Sequence, residues 1–260
     1  MSLVGKRIVV TRPEEQAAEL VGRLKDAGAI PIACPTIRIA PPESWRELDA
    51  ALSRIESYEW VVFTSANGVR SVLSRARGLG RAADDVLDRR VAAVGASTAR
   101  VLGGYGIEPA FIPGVERSRV LAEALPAVRG ARILLMRSDI ADPQLASALR
   151  ERDARQVDDV IAYRTLLLPP RGHALEELRG GVDGVTFTSP STVRGFLELG
   201  EEARSLLEGV AVVTLGPAAT DALRLKGLEI AAEASERDMS GLVDALRLAF
   251  ESAADEEIGT

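Results

Sequence analysis

Two stretches of the chain repeat nearly the same pattern of a strand, a turn and a helix, and both place hydroxyl side chains at the turn. They read VVFTSANGVRSVL at 61–73 and VTFTSPSTVRGFL at 185–197. In a parallel sheet the carboxyl end of a strand and the start of the following helix share one edge, where ligands bind. Because Thr and Ser are weak acids and weak bases, we expect these groups to cap helices or to hydrogen-bond a ligand.

Other junctions of the same kind add more hydroxyl groups, glycines and two arginines. The residues predicted to contact a ligand there are Thr11, Arg12, Thr64, Ser65, Gly95, Ser97, Thr98, Arg137, Ser138, Ser189, Pro190, Ser191, Gly216 and Pro217. Helix N-termini attract anions through free N–H groups and about half a positive charge. Arg12 and Arg137 occupy equivalent positions in the two halves, where each could bind a carboxylate through two hydrogen bonds or lie solvated at the surface. The set predicts a receptor for carboxylates or phosphates.

A purely structural interpretation of these residues stays open. Thr11 and Glu14 fit a capping box at a helix start. Further candidates for helix caps or for the first helical turn are Ser65, Ser189, Pro190 and Pro217. Capping alone explains each of them without a ligand.

Tyr163, in the stretch VIAYRT, is the side chain that we single out as a candidate proton donor. A tyrosine can deliver a proton or a hydrogen bond to a leaving hydroxyl, although its ordinary pKa near 10 makes it a weak acid. The alternative is packing, since aromatic residues are common in strands. Asp139 and Asp142 flank a helix start in MRSDIADPQL and are predicted as caps, with a catalytic or metal-binding role as the alternative.

Composition and missing motifs disfavour several classes of protein. The net charge is −6 and the basic residues are scattered among acidic ones, which disfavours nucleic acid as a partner. Cys34 and His173 are single residues of their types, which disfavours disulfides, zinc sites and Ser-His-Asp or Cys-His catalysis. No dinucleotide or P-loop fingerprint is present, so we expect neither a cofactor nor a metal. The opening MSLVGKRIVVTRP has no long apolar run, so we expect a cytoplasmic protein without a membrane partner.

Short apolar runs alternate with helical patterns, which is typical of an α/β protein with parallel strands. The second half repeats the first: Arg7 and Arg132 lie 125 positions apart, and Phe63 and Phe187 lie 124 apart. Such offsets indicate internal duplication. The alternative is that strand–helix units look alike in any such fold. A length of 260 residues favours two domains, and the repeat alone would divide the chain near residue 128.

Two connectors at equivalent points of the halves are strand-like and end in Pro-Pro. They are CPTIRIAPPE at 34–43 and VIAYRTLLLPPR at 160–171. Such segments suit a paired, extended link between two domains, because Pro-Pro is stiff and interrupts helices and central strands. That arrangement predicts a ligand cleft between the domains.

The order of the motifs resembles the uroporphyrinogen-III synthase family over essentially the whole chain. The motifs are TRP, FTSANGV, VGAST, the Arg-Ser of LMRSD, VIAYRT, FTSPSTV, LGPAATDAL and MSGLVDAL. The resemblance implies two flavodoxin-like α/β domains joined by a two-stranded linker. One domain would combine 1–35 with 168–260 and the other would be 40–162, with linkers near 36–39 and 163–167.

The resemblance also implies a function. Members of this family are cofactor-free lyases that act on hydroxymethylbilane, a linear tetrapyrrole with eight carboxylates. The enzyme assists loss of the terminal hydroxyl, directs attack at the substituted carbon of the last pyrrole, and closes the ring through a spiro intermediate with that pyrrole inverted, releasing water. Positioning and electrostatics would dominate such catalysis. A cytoplasmic monomer is expected.

The residue roles that the resemblance implies are specific. Tyr163 matches the tyrosine proposed to assist hydroxyl departure, and Ser65, Thr98 and Ser189 match hydroxyl positions that line the family cleft. Ala66 and Asn67 belong to the FTSANGV motif and are added as substrate contacts. The family pattern G-P-x-T-A is replaced here by Gly-Pro-Ala-Ala-Thr at 216–220. The hydroxyl therefore moves to Thr220, about 100° around the helix.

Two other functions stay open on the residues alone. A two-domain module that binds a small anion or sugar without catalysis would use the same halves and helix ends. A glycosyl- or phosphotransferase built from two α/β domains is disfavoured, because no nucleotide or metal signature is present.

Overall fold

The computed structural model describes the backbone of residues 3–258 and the side chains of residues 3–85 and 88–252. The chain divides into two compact units. Unit 1 comprises Met1–Arg38 with Leu166–Thr260, and unit 2 comprises Ile39–Thr165. Neither boundary lies near residue 128, so the division that the repeat alone would suggest is wrong. Among the described residues, no helix is both long enough and apolar enough to span a bilayer.

The elements alternate between strands and helices along the chain, as the sequence predicted. The strands are β1 (Arg7–Val10), β2 (Ile30–Ala33), β3 (Ile37–Ala40), β4 (Trp60–Phe63), β5 (Arg90–Ala93), β6 (Arg132–Ser138), β7 (Gln156–Leu167), β8 (Gly184–Phe187), β9 (Ala211–Thr214) and β10 (Ala232–Glu233). The helices are α1 (Glu14–Asp26), α2 (Arg46–Ser53), α3 (Ala66–Gly78), α4 (Ala83–Leu87), α5 (Ala96–Gly103), α6 (Ser118–Ala124), α7 (Gln144–Glu151), α8 (Gly172–Arg179), α9 (Pro190–Leu197), α10 (Glu201–Ser205), α11 (Pro217–Arg224) and α12 (Met239–Ile258).

Unit 1 is built on a sheet in the order β10-β9-β8-β1-β2, and the hydrogen-bonded neighbours are parallel. Two apolar clusters, one that includes Ile8 and one that includes Val9, form its core. Successive side chains of a strand point to opposite faces, so the sheet is covered on both sides. This explains why the sequence of β8, Gly-Val-Thr-Phe, is buried throughout.

Unit 2 is built on a second sheet in the order β3-β7-β6-β4-β5. β4 pairs in parallel with β5 and β6, and β6 pairs in parallel with β7. Again two apolar clusters form, one around Val61 and Phe63 and the other around Trp60 and Val62. A mixed α/β architecture with two sheets of mainly parallel strands is therefore confirmed.

The strand orders of the two sheets correspond to the sequence repeat. The order β9-β8-β1-β2 in unit 1 has its counterpart in β5-β4-β6-β7 in unit 2 when the repeated stretches are matched. The two units differ at their outer edges, where unit 1 adds β10 and unit 2 adds β3.

The segment after β2 is held in unit 1 by close backbone contact with α9. The hydroxyl of Thr36 donates to the carbonyl of Thr192 at 2.8 Å. A Cβ at Gly195 would overlap the carbonyl oxygen of Thr36, so only glycine permits this approach. The contact attaches the N-terminal strands to the second half of the chain.

Candidate active site

The strand ends of unit 2 bring hydroxyl groups to one edge of its sheet. β4, β5 and β6 are parallel neighbours, so Ser65, Gly95 and Ser138 follow or end strands at the same edge. This edge is the part of unit 2 where the sequence predicted a ligand.

Ser65 is the N-cap of α3, as predicted. Its backbone is extended and its Oγ accepts the N–H of Gly68 at 3.1 Å. A Cβ at Gly68 would lie 3.0 Å from the carbonyl oxygen of Met136, so a glycine lets α3 start close to β6. Of the other FTSAN residues, Thr64 precedes the cap, while Ala66 and Asn67 begin the helix.

Tyr163 contacts this cap directly. Its phenol oxygen lies 2.8 Å from the Oγ of Ser65, and the residue is only 6% exposed. A bulge in β7 sets its position, since Arg137 pairs with Ile161 whereas Ser138 pairs with Tyr163.

The bulge leaves the intervening residue, Ala162, without a ladder partner opposite it. The hydroxyl of Ser71, on α3, donates to the carbonyl of Ala162 at 2.6 Å. A residue of the helix therefore satisfies the backbone group that the bulge displaces.

A second group of polar side chains lies at the end of β6. The Oδ1 of Asp139 accepts hydrogen bonds from the hydroxyl of Ser138 and from the N–H of Thr165, both at 2.9 Å. The hydroxyls of Ser138 and Thr165 are 2.8 Å apart, and the N–H of Asp139 donates to the carbonyl of Tyr163 at 3.1 Å. The prediction that Asp139 caps a helix is therefore wrong, because its carboxylate binds the end of β7 instead. Asp142 does accept the N–H of Gln144 at the start of α7, at 2.9 Å.

The environment of Tyr163 favours the neutral phenol. Burial raises the pKa of the phenol above its ordinary value, against hydrogen bonds with neighbouring hydroxyl groups that lower it. The negative charge of Asp139 acts in the same direction as burial. Tyr163 therefore keeps its proton across the neutral range and is available as a hydrogen-bond donor.

At the start of α5 a carboxylate of the chain itself occupies the helix N-terminus. Glu116 accepts the N–H of Ala96 at 2.8 Å. A Cβ at Gly95 would lie 2.5 Å from the carboxyl carbon of Glu116, so glycine allows the close approach. Of the two predicted hydroxyl contacts nearby, Thr98 is buried and Ser97 is exposed. This helix end is thus able to hold a carboxylate.

Arg137 lies within unit 2 and is engaged with the protein. Its side chain is 4% exposed and forms a two-point ion pair with Asp159, through Nε at 2.9 Å and through Nη2. Its Nη1 donates to the carbonyl of Asp142 at 2.7 Å. Binding of a substrate carboxylate by Arg137 stays a prediction, and it would require exchange of these internal acceptors.

In unit 1, the junction between β1 and α1 lacks the helix cap that the sequence predicted. Thr11 is fully buried and its hydroxyl donates to the carbonyl of Thr186 at 2.6 Å. The N-cap of α1 is Pro13, without a side-chain cap, so the predicted capping box of Thr11 and Glu14 is wrong. The neighbouring Arg12 donates to the carbonyl of Gln16 at 3.0 Å, and this bond sets the direction of its guanidinium.

The second FTS stretch repeats the cap seen at Ser65. Ser189 is the N-cap of α9, its Oγ accepts the N–H of Thr192 at 3.3 Å, and Pro190 begins the helix, all as predicted. The hydroxyls of Ser189 and Ser191 are 2.9 Å apart. The two halves therefore have the same serine N-cap at equivalent strand ends.

At the third junction of unit 1, between β9 and α11, the hydroxyl-bearing residue Thr220 is buried. Pro217 begins α11 after Gly216, as predicted. Thr220 is 1% exposed and its Oγ1 lies 2.7 Å from the hydroxyl of Thr214. It also donates to the carboxylate of Glu233 at 2.5 Å. Substrate contact by Thr220 stays a prediction, and internal hydrogen bonds already use this hydroxyl.

Four residues near these junctions were not among the ligand contacts predicted from the sequence. They are Glu116, Asp139, Thr165 and Arg237, whose Nε would lie 3.6 Å from a Cβ at Gly216. Asp139 and Thr165 carry a local signal, since Asp139 directly follows Ser138 and Thr165 lies two residues after Tyr163. Glu116 and Arg237 lie in loops far along the chain from the helix ends they contact, so only the fold reveals them.

Comparisons with known proteins agree with one another. The family model described as uroporphyrinogen-III synthase HemD matches residues 18–244. A uroporphyrinogen-III synthase of Synechococcus elongatus is 32% identical over 94% of this chain and 95% of its own. A putative uroporphyrinogen-III synthase of Methanothermobacter thermautotrophicus is 33% identical over 81% and 85%.

Solved structures show the same fold. A mutant uroporphyrinogen III synthase of Thermus thermophilus superposes with a TM-score of 0.70 at 22% identity, over 95% of this chain and all of its own. The uroporphyrinogen-III synthetase of Helicobacter pylori gives a TM-score of 0.60 at 16% identity, over 95% of this chain and all of its own.

Proposed function

The chain belongs to the uroporphyrinogen-III synthase family, whose members are cyclising enzymes of tetrapyrrole synthesis, and from that premise we propose how its residues act on hydroxymethylbilane. Loss of the terminal hydroxyl leaves an electrophilic methylene carbon, which bonds to the substituted carbon of the last pyrrole and gives the spiro intermediate. The bond from that carbon to the preceding methylene bridge then breaks, and the freed methylene bonds to the unsubstituted carbon of the same pyrrole with loss of a proton, so that the ring closes with that pyrrole inverted. Water is released. The enzyme must favour this closure over the one that leaves the last pyrrole uninverted.

The observation that carries the proposal is the contact between Tyr163 and Ser65. The phenol is held 2.8 Å from a cap hydroxyl that is itself fixed by the N–H of Gly68. Burial keeps the phenol neutral. A neutral, oriented phenol is suited to donate a hydrogen bond and then a proton to the departing hydroxyl. We assign this role to Tyr163.

Substrate carboxylates would bind at strand–helix junctions of the two units. The hydrogen bond from the N–H of Ala96 to Glu116 supports this proposal, because it shows a carboxylate bound at a helix N-terminus of this chain. Ser97 is exposed beside that helix end and Ser191 lies beside the cap of α9. We propose both as hydrogen-bond donors to carboxylates.

The domain organisation expected from the resemblance remains part of the proposal. The matching strand orders of the two sheets support internal duplication of a flavodoxin-like unit. The neighbouring strands β3 and β7, within which the chain passes between the units, support a two-stranded linker. The cleft between domains, the monomeric state and the cytoplasmic location stay predictions.

The test is to supply the purified protein with enzymatically generated hydroxymethylbilane and to separate the oxidised products. We expect the inverted isomer from the parent protein and from Tyr105→Phe, a matched variant that removes a phenol elsewhere in unit 2. We expect slower formation of that isomer from Tyr163→Phe. If only the uninverted isomer appears, as in buffer, the proposed activity is wrong.

The same assay separates catalysis from simple binding. A module that only binds a small anion or sugar would be protected from thermal unfolding by inorganic phosphate or a monosaccharide and would not turn over the bilane. That combination of results would favour the binding function over the enzyme.

A further inference from the structure

We propose that Asp139 is a positioning residue, which orients the hydroxyls of Ser138 and Thr165 so that the phenol of Tyr163 is held as a hydrogen-bond donor. The inference rests on the proposed function for its effect on turnover. The hydrogen-bond arrangement itself is independent of that function and is tested separately below.

The arrangement follows from the number of protons available. As a carboxylate, Asp139 can only accept hydrogen bonds, and it takes the single proton of the Ser138 hydroxyl at 2.9 Å. The Oγ of Ser138 must then accept from Thr165, whose oxygen is 2.8 Å away. Both hydroxyl protons therefore point toward the carboxylate, which weakens the stabilisation that these two hydroxyls give to a phenolate at Tyr163.

The backbone makes this orientation rigid. The Oδ1 of Asp139 also accepts the N–H of Thr165 at 2.9 Å, and the N–H of Asp139 binds the carbonyl of Tyr163 at 3.1 Å. These two bonds tie the residue after β6 to β7 on both sides of Arg164. The bulge that places Tyr163 opposite Ser138 sets the register in which this is possible.

The polar groups that face the phenol come from three elements. The start of α3 provides Ser65, the end of β6 provides Ser138 and Asp139, and β7 provides Thr165. Asp139 is the charged member of this set. Its negative charge disfavours a second negative charge on the phenolate, so charge and hydrogen-bond direction act together. The phenol thus keeps the proton that the leaving hydroxyl needs.

The experiment compares Asp139→Asn with the parent protein, with Asp142→Asn as the matched control. Asparagine preserves an acceptor oxygen but removes the charge, while the side chain of Asp142 accepts the N–H of Gln144 at the start of α7. The protein is labelled at the Cζ of its three tyrosines, and the Tyr163 resonance is identified by its loss in Tyr163→Phe. Its chemical shift reports ionisation of the phenol as the pH is raised.

We expect the titration of Tyr163 to move about one pH unit lower in Asp139→Asn and to stay unchanged in Asp142→Asn. The alkaline limb of the kcat profile should move in the same direction. A Tyr163 titration that is unchanged in a folded Asp139→Asn protein would overturn the proposal.

A second pair of variants covers the case in which Asp139→Asn does not fold. Thr165→Val removes the hydroxyl that donates to Ser138, and Thr165→Ser restores it. We expect the valine variant to shift the Tyr163 titration and the serine variant to recover the parent titration, whereas equal behaviour of the two would overturn the proposal. If the bilane assay fails while these shifts occur, the proposed function is wrong and the positioning role stands.

Discussion

The phenol oxygen of Tyr163 lies 2.8 Å from the Oγ of Ser65, the same oxygen that accepts the N–H of Gly68 at the start of α3. One serine thus serves as a helix cap and as a partner of the candidate proton donor. If Tyr163 is the proton donor, stability and activity are coupled at this position, and the two effects must be measured separately.

Replacement of Tyr163 by Phe should lower kcat by about 100-fold, at the lower end of the range for a general acid, because the bilane loses its hydroxyl readily without help. The loss of one buried hydrogen bond should lower the free energy of unfolding by about 1 kcal/mol. Steady-state kinetics and urea unfolding measure the two effects. Tyr105→Phe serves as the control, and an unchanged kcat in Tyr163→Phe would remove Tyr163 from the mechanism.

Replacement of either cap serine should destabilise the protein. Ser65→Ala and Ser189→Ala each remove an N-cap acceptor, so urea unfolding should show a loss of about 1 kcal/mol for each. Ser147→Ala is the control, because Ser147 is an exposed residue inside α7 and alanine favours helix there.

Activity per folded molecule then separates the roles of these two serines. We expect kcat to fall in Ser65→Ala, because Ser65 contacts the phenol of Tyr163. If stability falls while kcat and KM of both variants match the parent, the serines are caps alone.

Breaking the buried pair of Arg137 and Asp159 should be costly. Asp159→Ala leaves the guanidinium of Arg137 buried without its carboxylate, so the free energy of unfolding should fall by about 3 kcal/mol. Glu123→Ala is the matched control, since its pair with Arg119 is exposed and should contribute less than about 0.5 kcal/mol. Similar losses for the two variants would show that the Arg137 pair is not a structural requirement.

Replacement of Glu116 by Gln tests the helix end of α5. The neutral side chain still accepts the N–H of Ala96 but competes less strongly with an incoming carboxylate. If α5 binds substrate, KM should fall by about threefold with kcat unchanged, which corresponds to about 0.6 kcal/mol at a helix N-terminus. Glu123→Gln, on the exposed side of α6, is the control, and a KM that stays constant or rises in Glu116→Gln would argue against a carboxylate subsite at α5.

Local features of the site were predictable where a short stretch of sequence contains all the atoms involved. Ser65 and Ser189 cap their helices because the hydroxyl and the N–H that it accepts are three residues apart. The runs of β4 and β8 were also predictable from neighbouring residues alone, because a continuous apolar run is typical of a central parallel strand. Both are continuous and buried throughout.

Local signals failed where a distant group competed for the same side chain. Thr11 has the spacing of a capping box with Glu14, yet its hydroxyl binds the carbonyl of Thr186 from a strand 175 positions away. Asp139 has the position of a cap, yet its carboxylate binds Thr165 on β7. In both cases a parallel neighbouring strand supplies the backbone group that the side chain binds.

The sequence by itself determined the α/β class, the repeated strand–helix units and, through the order of its motifs, the family. Periodicity and turn chemistry are properties of neighbouring residues, so they can be read without a fold. The repeat alone would have divided the chain near residue 128, whereas in the folded chain the N-terminal strands join the C-terminal half, where Gly195 admits the backbone of Thr36. Tertiary structure decided that a bulge aligns Tyr163 with Ser138 and that Glu116 reaches α5. These contacts join residues far apart in the chain, and their geometry depends on strand order and register.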